Sequence, residues 1–123
     1  MAEDTERIAE LFAAYGAVAV RRMFGGAGVF ADGWMIALAV DGVIFLKADA
    51  RTIPQFEREG LAPFSYRTKD GTRTLTSYWR MPERLYDDPH ELADWARRAL
   101  ESAKHSGAQP KTRRSRKAGR NLR

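Results

Sequence analysis

The 123-residue chain has no cysteine and only two histidines. The absence of cysteine excludes disulfide bonds, thiolate nucleophiles and thiolate metal ligands. His90 and His105 have no neighbouring residues at the spacing of metal ligands, so both are interpreted as solvated side chains. The sequence therefore predicts no metal site and no cofactor.

Long apolar runs are also absent. Asp32 and Asp41 interrupt the most hydrophobic stretch before it reaches the roughly 18 residues that a membrane helix requires. The first residues, MAEDTERIAE, lack the basic and then apolar layout of a secretory signal. We therefore expect a cytoplasmic protein without membrane contacts, built as one domain around a single core.

Residues suited to catalysis are few. Asp87 and Asp88 resemble a carboxylate pair, but one is needed as a helix cap and the other lies in a turn. The sequence does not place them in the two opposed environments that acid–base catalysis requires. Ser65 and Ser77 lie in predicted strands without the tight turn that presents a nucleophilic serine. We predict that the protein is not an enzyme and has no small-molecule substrate.

The basic residues are unevenly distributed. The chain has 21 basic and 16 acidic residues, a formal charge of +5, yet seven basic residues and no acidic one follow residue 105. The first 105 residues therefore hold 14 basic residues against 16 acidic ones, a formal charge of −2. We expect a folded domain over residues 1–105 and a disordered basic tail over 106–123 that binds nucleic acid weakly and without sequence preference. The candidate contacts are Lys111, Arg113, Arg114, Arg116, Lys117, Arg120 and Arg123.

Turn and capping signals divide the domain. Apolar residues at helical spacing predict a helix over residues 3–16 that ends at Gly16. Three Asp-Gly pairs predict β-hairpins. The predicted strands are 27–31, 34–40, 43–48, 64–69 and 72–79, and residues 18–23 are a candidate for a sixth strand. Asp49 is expected to cap a short helix that ends at Gly60.

A capping box is expected to begin the last helix. Asp88 supplies the cap oxygen, Pro89 occupies the first position and Glu91 supplies the reciprocal carboxylate. The apolar stripe of this helix is Leu92, Trp95, Ala96 and Ala99. These elements predict an α+β fold with a mainly antiparallel sheet of five or six strands, packed with helices at both ends of the chain and one short helix between strands.

The segments 34–40 and 43–48 are apolar at nearly every position. An antiparallel sheet with one solvated face normally alternates apolar and polar residues. We therefore expect both faces to be covered, one by helices and the other by a neighbouring segment or a second copy of the chain, which makes a homodimer a candidate assembly. Simple alternation puts Trp34, Ile36, Leu38 and Val40 on one face, and Met35, Ala37 and Ala39 on the other.

A glycine-rich stretch resembles a phosphate-binding loop. Residues 26–31, GAGVFA, match the pattern G-x-G-x-x-A. That fingerprint binds a dinucleotide only where a helix follows and holds the pyrophosphate. Here an Asp-Gly hairpin follows, so we interpret the glycines as positions of close strand approach or bulges.

Five blocks of the sequence closely resemble the TfoX N-terminal domain family. They include RRMFGGAGVF, DGVIFLKAD and SYWRMPE, and they lie at Arg21–Met35, Asp41–Asp49, Phe56–Tyr66, Ser77–Glu83 and Asp88–Leu100. The resemblance implies an α+β domain that takes part in regulating bacterial competence genes as a co-activator beside a promoter-bound regulator. It carries over no catalytic residues. Longer members add a C-terminal helical domain, so the chain resembles a stand-alone form with a basic tail.

The function predicted from these observations is a non-enzymatic regulatory or interaction module that acts through a protein partner. The alternative is an accessory protein that binds nucleic acid through its tail. Tyr78 and Tyr86 are candidates for the partner surface, because aromatic anchors supply much of the energy of interfaces. Family signature residues, interpreted as mostly structural, are Arg22, Met23, Phe24, Gly25, Gly26, Gly28, Asp41, Gly42, Pro63, Phe64, Pro82 and Trp95.

Overall fold

A computed structural model of the chain describes residues 4–23 and 25–107. Its elements in chain order are α1 (Thr5–Leu11), β1 (Ala19–Met23), β2 (Gly26–Ala31), β3 (Trp34–Val40), β4 (Val43–Lys47), α2 (Ile53–Arg58), β5 (Pro63–Thr68), β6 (Gly71–Arg80), a 3-10 helix (Glu83–Asp87) and α3 (Pro89–Ser106). The strands form one antiparallel sheet in the order β1-β2-β3-β4-β6-β5. The predicted fold class is confirmed; the 3-10 helix was not predicted.

The Asp-Gly turns form the hairpins that the sequence predicts. Asp32 and Gly33 both have positive φ, 53° and 83°, and Asp41 and Gly42 have φ of 52° and 78°. Two successive residues with positive φ match the right-handed twist of the strands they join. These two turns fix the register of β2 on β3 and of β3 on β4.

The first helix is shorter than predicted. It begins after Asp4, whose carboxylate accepts a hydrogen bond from the Arg7 N–H (3.2 Å), and it ends at Leu11. The predicted span of 3–16 is too long because the chain after Leu11 closes into tighter turns, such as the bond from the Tyr15 N–H to the Phe12 carbonyl. Phe12 nevertheless remains fully buried.

The second helix begins later than predicted, and Asp49 does not cap it. The Asp49 carboxylate accepts the N–H of Arg51 (3.0 Å) and binds the Arg51 guanidinium. This local pair forms a turn before the helix. Thr52 occupies the cap position, but its hydroxyl caps no helix N–H and instead accepts the Asp49 N–H (3.1 Å). The helix end at Gly60 is confirmed, since Gly60 has φ of 73° directly after the cap.

Half of the expected capping box is present at α3. Asp88 accepts a hydrogen bond from the Glu91 N–H (3.1 Å), which confirms the cap. The Glu91 carboxylate does not complete the box, because Arg84 of the 3-10 helix binds both of its oxygens. Arg84 also binds Glu59 after α2, so one guanidinium joins three segments of the chain.

The core lies between the helices and one face of the sheet. Helix α3 packs on β3 and β4, and α1 packs on β1. The buried cluster joins Phe12, Phe56, Leu92, Trp95, Ala96 and Ala99 to the strand residues Ala27, Val29, Ala37, Ala39, Ile44, Leu46 and Trp79. The expectation that helices cover one face is confirmed.

A β-bulge in β3 alters the predicted faces of this strand. Between Val29 and Phe30 the pairing partner on β3 shifts by one residue, which leaves Ile36 unpaired. A bulge breaks the simple alternation of side chains on its two sides. Ile36 therefore belongs to the buried core, whereas Leu38 pairs with Gly28 on the other face. The prediction that Ile36 and Leu38 share a face is wrong.

Candidate functional site

The sheet face away from the core has an apolar surface, which we call the open face. Its members follow from the register, since Gly28 pairs with Leu38, Leu38 with Phe45, and Phe45 with Arg80. The apolar residues of the open face are Met23, Phe30, Met35, Leu38, Val40, Val43, Phe45, Phe64 and Tyr66. None of them belongs to the core cluster. No helix within residues 4–23 and 25–107 packs on them.

The bulge also changes the face on which Met35 lies, so the prediction for this residue is wrong as well. Alternation groups it with Ala37 and Ala39, which are fully buried beneath the helices. In the structure its sulfur lies beside Gly28, on the open face. The open face thus receives larger side chains than the alternation predicts.

Two family glycines allow close packing at this site. A Cβ on Gly26 would lie 2.4 Å from the Ala39 carbonyl oxygen, and a Cβ on Gly28 would lie 2.9 Å from the Met23 methyl group. The glycine at 28 leaves room for Met23, Phe30 and Met35 to meet on the open face. These contacts support the interpretation of the stretch 26–31 as a close strand approach.

An aromatic row crosses the outer strands of the open face. The Phe45 and Phe64 rings meet edge to face at 5.0 Å between centroids, and Phe64 stacks on Tyr66 at 5.8 Å. Tyr66 is 43% exposed, and Leu75, opposite Phe64, is 37% exposed. This row is the part of the described surface where large apolar side chains are most accessible.

The candidate Tyr78 also lies on this face, beside Lys47. The two residues pair across β4 and β6, the Lys47 ammonium lies 4.9 Å from the ring centroid, and each is 8% exposed. Burial raises the pKa of the Tyr78 hydroxyl to about 12. Burial also lowers the pKa of Lys47, an effect that Asp49 opposes. Tyr78 therefore offers little surface of its own to a partner.

The second candidate, Tyr86, lies elsewhere. It packs against the core cluster, and its hydroxyl oxygen accepts a hydrogen bond from the Ile44 N–H (2.9 Å). Burial raises the pKa of Tyr86, and the bond from Ile44 opposes that rise. This geometry gives Tyr86 a structural function, that of joining the 3-10 helix to β4.

Sequence reasoning missed Tyr66, the most exposed aromatic residue on the open face. It is two positions from Phe64 in β5, so strand periodicity was a usable signal that the two share a face. The sequence does not indicate that this face of the sheet lacks a covering helix, because the face that α3 covers is decided by tertiary packing.

The remaining signature residues have various positions. Trp95 lies in the core against Phe56, at 5.1 Å between ring centroids, and Pro82 precedes the 3-10 helix. Met23, Gly28 and Phe64 contribute to the open face. Phe24 and the tail candidates Lys111, Arg113, Arg114, Arg116, Lys117, Arg120 and Arg123 lie outside the described residues.

The histidine and carboxylate candidates of the sequence lie apart from the open face. His90, Asp87 and Asp88 are exposed at the start of α3. Among residues 4–23 and 25–107, no group of three or more histidine, aspartate or glutamate side chains is placed to hold a metal ion. In the same ranges, no helix has both the length and the apolar character needed to cross a bilayer.

Comparison with known proteins identifies one family. The family model described as the TfoX N-terminal domain matches residues 10–103, a range that contains all six strands and most of α3. No curated protein matches the chain. The family match confirms the resemblance seen in the sequence.

Proposed function

This chain belongs to the TfoX N-terminal domain family, and from that premise we propose that it is a regulatory module that binds a protein partner through the open face of its sheet. The partner that we propose is a regulator of transcription, which is the role that the family resemblance suggests. The module works by contact and turns over no substrate.

One observation carries this proposal: the open face is apolar although no described helix covers it. Leu38, Val40, Val43 and Phe45 are half-buried there, outside the core cluster. A solvated face of an antiparallel sheet normally carries polar side chains at such positions. Contiguous apolar surface on a soluble domain commonly marks an interaction site.

A structural explanation accounts for part of this surface. Met23, Phe30 and Met35 pack on one another around Gly28, and this packing stabilises the sheet without any partner. It does not account for the row that ends at Tyr66, where a 43% exposed ring stacks on Phe64 at the outer strand. An exposed aromatic ring beside half-buried apolar residues is typical of an interface anchor.

Site-specific photo-crosslinking in the native cells tests the proposal. A photoreactive phenylalanine analogue replaces Tyr66 on the open face or, as the matched control, Arg58, which is exposed on α2. We expect one discrete protein adduct from position 66 and none from position 58. Adducts from position 58 alone, or none from either position in folded protein, would contradict the proposal.

Binding of nucleic acid through the tail remains the alternative prediction. Its seven basic residues lie outside the described residues. Replacing all seven with serine in the full-length chain separates the two functions. The adduct from position 66 should persist, whereas any binding of DNA should be lost.

A further inference from the structure

Charge is segregated between the strands and the rest of the domain. The six strands of the described residues contain six basic residues and no acidic one. All carboxylates of residues 4–107 lie in helices, turns and loops. The strands are thus the basic part of a domain whose first 105 residues as a whole have a formal charge of −2.

Three exposed arginines border the apolar centre of the open face. Arg21 lies over the Phe30 ring at 5.3 Å, Arg80 pairs with Phe45, and Arg73 pairs with Tyr66. None of the three forms an ion pair with another described residue. By contrast, Arg84 and Arg97 on the helical side are both paired with carboxylates. The cations of the open face therefore remain available to charges on a partner.

We infer that the occupant of the open face is an acidic segment of another protein, with apolar side chains that contact Leu38, Phe45 and Phe64 and with carboxylates that bind Arg21, Arg73 and Arg80. This inference rests on the proposed function and specifies the chemistry of its partner. Arginine suits this role, because its planar guanidinium binds carboxylate through two parallel hydrogen bonds.

The same charges argue against two other occupants. In a symmetric dimer the two open faces would bring two sets of arginines and no carboxylate into one interface, and like charges at an interface are costly. The basic tail of this chain has no acidic residue to offer these arginines. A second copy and the tail are therefore both poorly matched to the open face.

Nucleic acid is complementary to the positive charge of the open face but not to the apolar side chains at its centre. Single strands bind by stacking bases on exposed aromatic rings. Here the centre is formed by aliphatic side chains, Leu38, Val40 and Val43, and Phe45 and Phe64 already pack against each other. Aliphatic side chains bind apolar groups of a partner, which a peptide supplies and a phosphate backbone does not.

A peptide titration of the full-length protein tests the inference. The probe has a central Leu-Phe-Leu flanked on both sides by glutamates. One control peptide carries lysine in place of glutamate, another carries serine in place of the apolar residues, and oligothymidylate represents nucleic acid. NMR amide shifts locate each ligand, and calorimetry measures its dissociation constant.

We expect the acidic peptide to bind with shifts confined to the strands, including β1 and β6, which carry Arg21, Arg73 and Arg80. Both control peptides should bind at least about tenfold more weakly. Arg73→Glu and Arg80→Glu should each weaken binding by about tenfold. Arg67→Glu is the matched control: it changes the same charge on the same hairpin but points to the opposite face. It should change the dissociation constant by less than about threefold.

Three results would overturn the inference: equal binding of the lysine peptide, tighter binding of oligothymidylate with the same arginine dependence, or self-association that Arg80→Glu does not affect. Crosslinking from position 66 separates the two proposals. An adduct that forms equally well in the Arg73→Glu and Arg80→Glu variants supports the proposed function and contradicts the acidic partner. Loss of every adduct from position 66 in the unsubstituted background contradicts both.

Discussion

The two faces of the central strand β3 are both apolar along residues 37–40 but differ there in the size of their side chains. Beneath α3 the central strand presents Ala37 and Ala39, which are fully buried, and the helix brings Ala96 and Ala99 to meet them. On the open face the same strand presents larger residues such as Leu38, which remain half-buried. Small residues allow a helix to approach closely, whereas larger ones shield one another without a covering element. Along residues 37–40 of β3, the size of the side chains, and not their polarity, therefore distinguishes the covered face from the open one.

The largest expected effect comes from placing a charge on each face of β3. Ala37→Lys buries an unpaired ammonium beneath α3 and should destabilise the domain by roughly 3–5 kcal/mol, enough to unfold a marginal protein. Leu38→Lys, the adjacent residue, leaves its ammonium in water and should cost only about 1–2 kcal/mol of lost apolar burial. Urea denaturation measures both. Equal losses of unfolding free energy in the two variants would show that Ala37 and Leu38 are equally buried, and would contradict the difference between the covered and the open face.

A second comparison concerns the two glycines of β2. Gly26→Ala drives a methyl group against the Ala39 carbonyl, which is backbone and cannot rotate away, so we expect a loss of about 1–3 kcal/mol. Gly28→Ala meets only the ends of Met23, Met35 and Phe30, which can shift. Alanine also restricts the unfolded chain more than glycine does, and this entropic effect offsets the cost by about 0.4–1 kcal/mol. The free energy of unfolding of Gly28→Ala should therefore be nearly unchanged. In thermal unfolding, the melting temperature of Gly26→Ala should lie well below that of Gly28→Ala. The reverse order would contradict the close approach of β2 and β3 at Gly26.

Alkaline pH tests how well the open face buries Tyr78. The pKa of this hydroxyl is raised from 10.0 to about 12 by burial, so the folded state holds a proton that the unfolded state releases. Stability should therefore fall as pH rises from 10 to 12, by roughly 2–3 kcal/mol in all. The lowered pKa of Lys47 acts in the opposite direction.

Tyr78→Phe is the control for that measurement, because it removes the titration of Tyr78 and keeps Lys47. Urea unfolding at about pH 9 and about pH 11 should show a clearly larger loss in the parent protein than in Tyr78→Phe, in which only the raised pKa values of Tyr15 and Tyr86 remain. A loss of the same size in both proteins would assign the alkaline sensitivity to another group.

The smallest expected effect concerns the exposed ion pairs on the helical side. The hydrogen bonds from Arg84, together with its charge, hold the pKa of Glu91 below its ordinary value of 4.5, although partial desolvation opposes this shift. The pair thus stabilises the fold above pH 4.5, and this contribution is lost as pH falls through the lower folded pKa. Because both groups are exposed, the change in stability should be small.

An NMR titration of the Glu91 carboxyl measures this effect directly. In Arg84→Ala its pKa should rise toward the ordinary value. Arg97→Ala, which breaks only the neighbouring pair with Asp94 on α3, should leave the Glu91 titration almost unchanged. A Glu91 pKa that is insensitive to Arg84 would show that the three-segment contact does not persist in solution.

Local chemistry accounts for the parts of the fold that sequence reasoning predicted well. The Asp-Gly turns, the Asp88 cap and the Gly60 stop depend on residues that are neighbours along the chain, so their signals are legible without tertiary contacts. The two capping predictions failed where an arginine binds the carboxylate that was expected to cap a helix. Arg51 takes the Asp49 carboxylate, and Arg84, seven residues from Glu91, takes the carboxylate expected for the capping box.

The sequence by itself determined the class of the fold, its hairpins and its family, because these depend on turn residues and on the order of short motifs. Only the tertiary structure decided which strand residues face the helices. The bulge at Ile36 alters the alternation on β3, and α3 then covers one face and leaves Leu38, Phe45 and Tyr66 on the other. A candidate site made by exposure cannot be read from residue types alone, since exposure depends on what packs nearby. The physical reason is that helix packing is a long-range contact, whereas turns and caps are local ones.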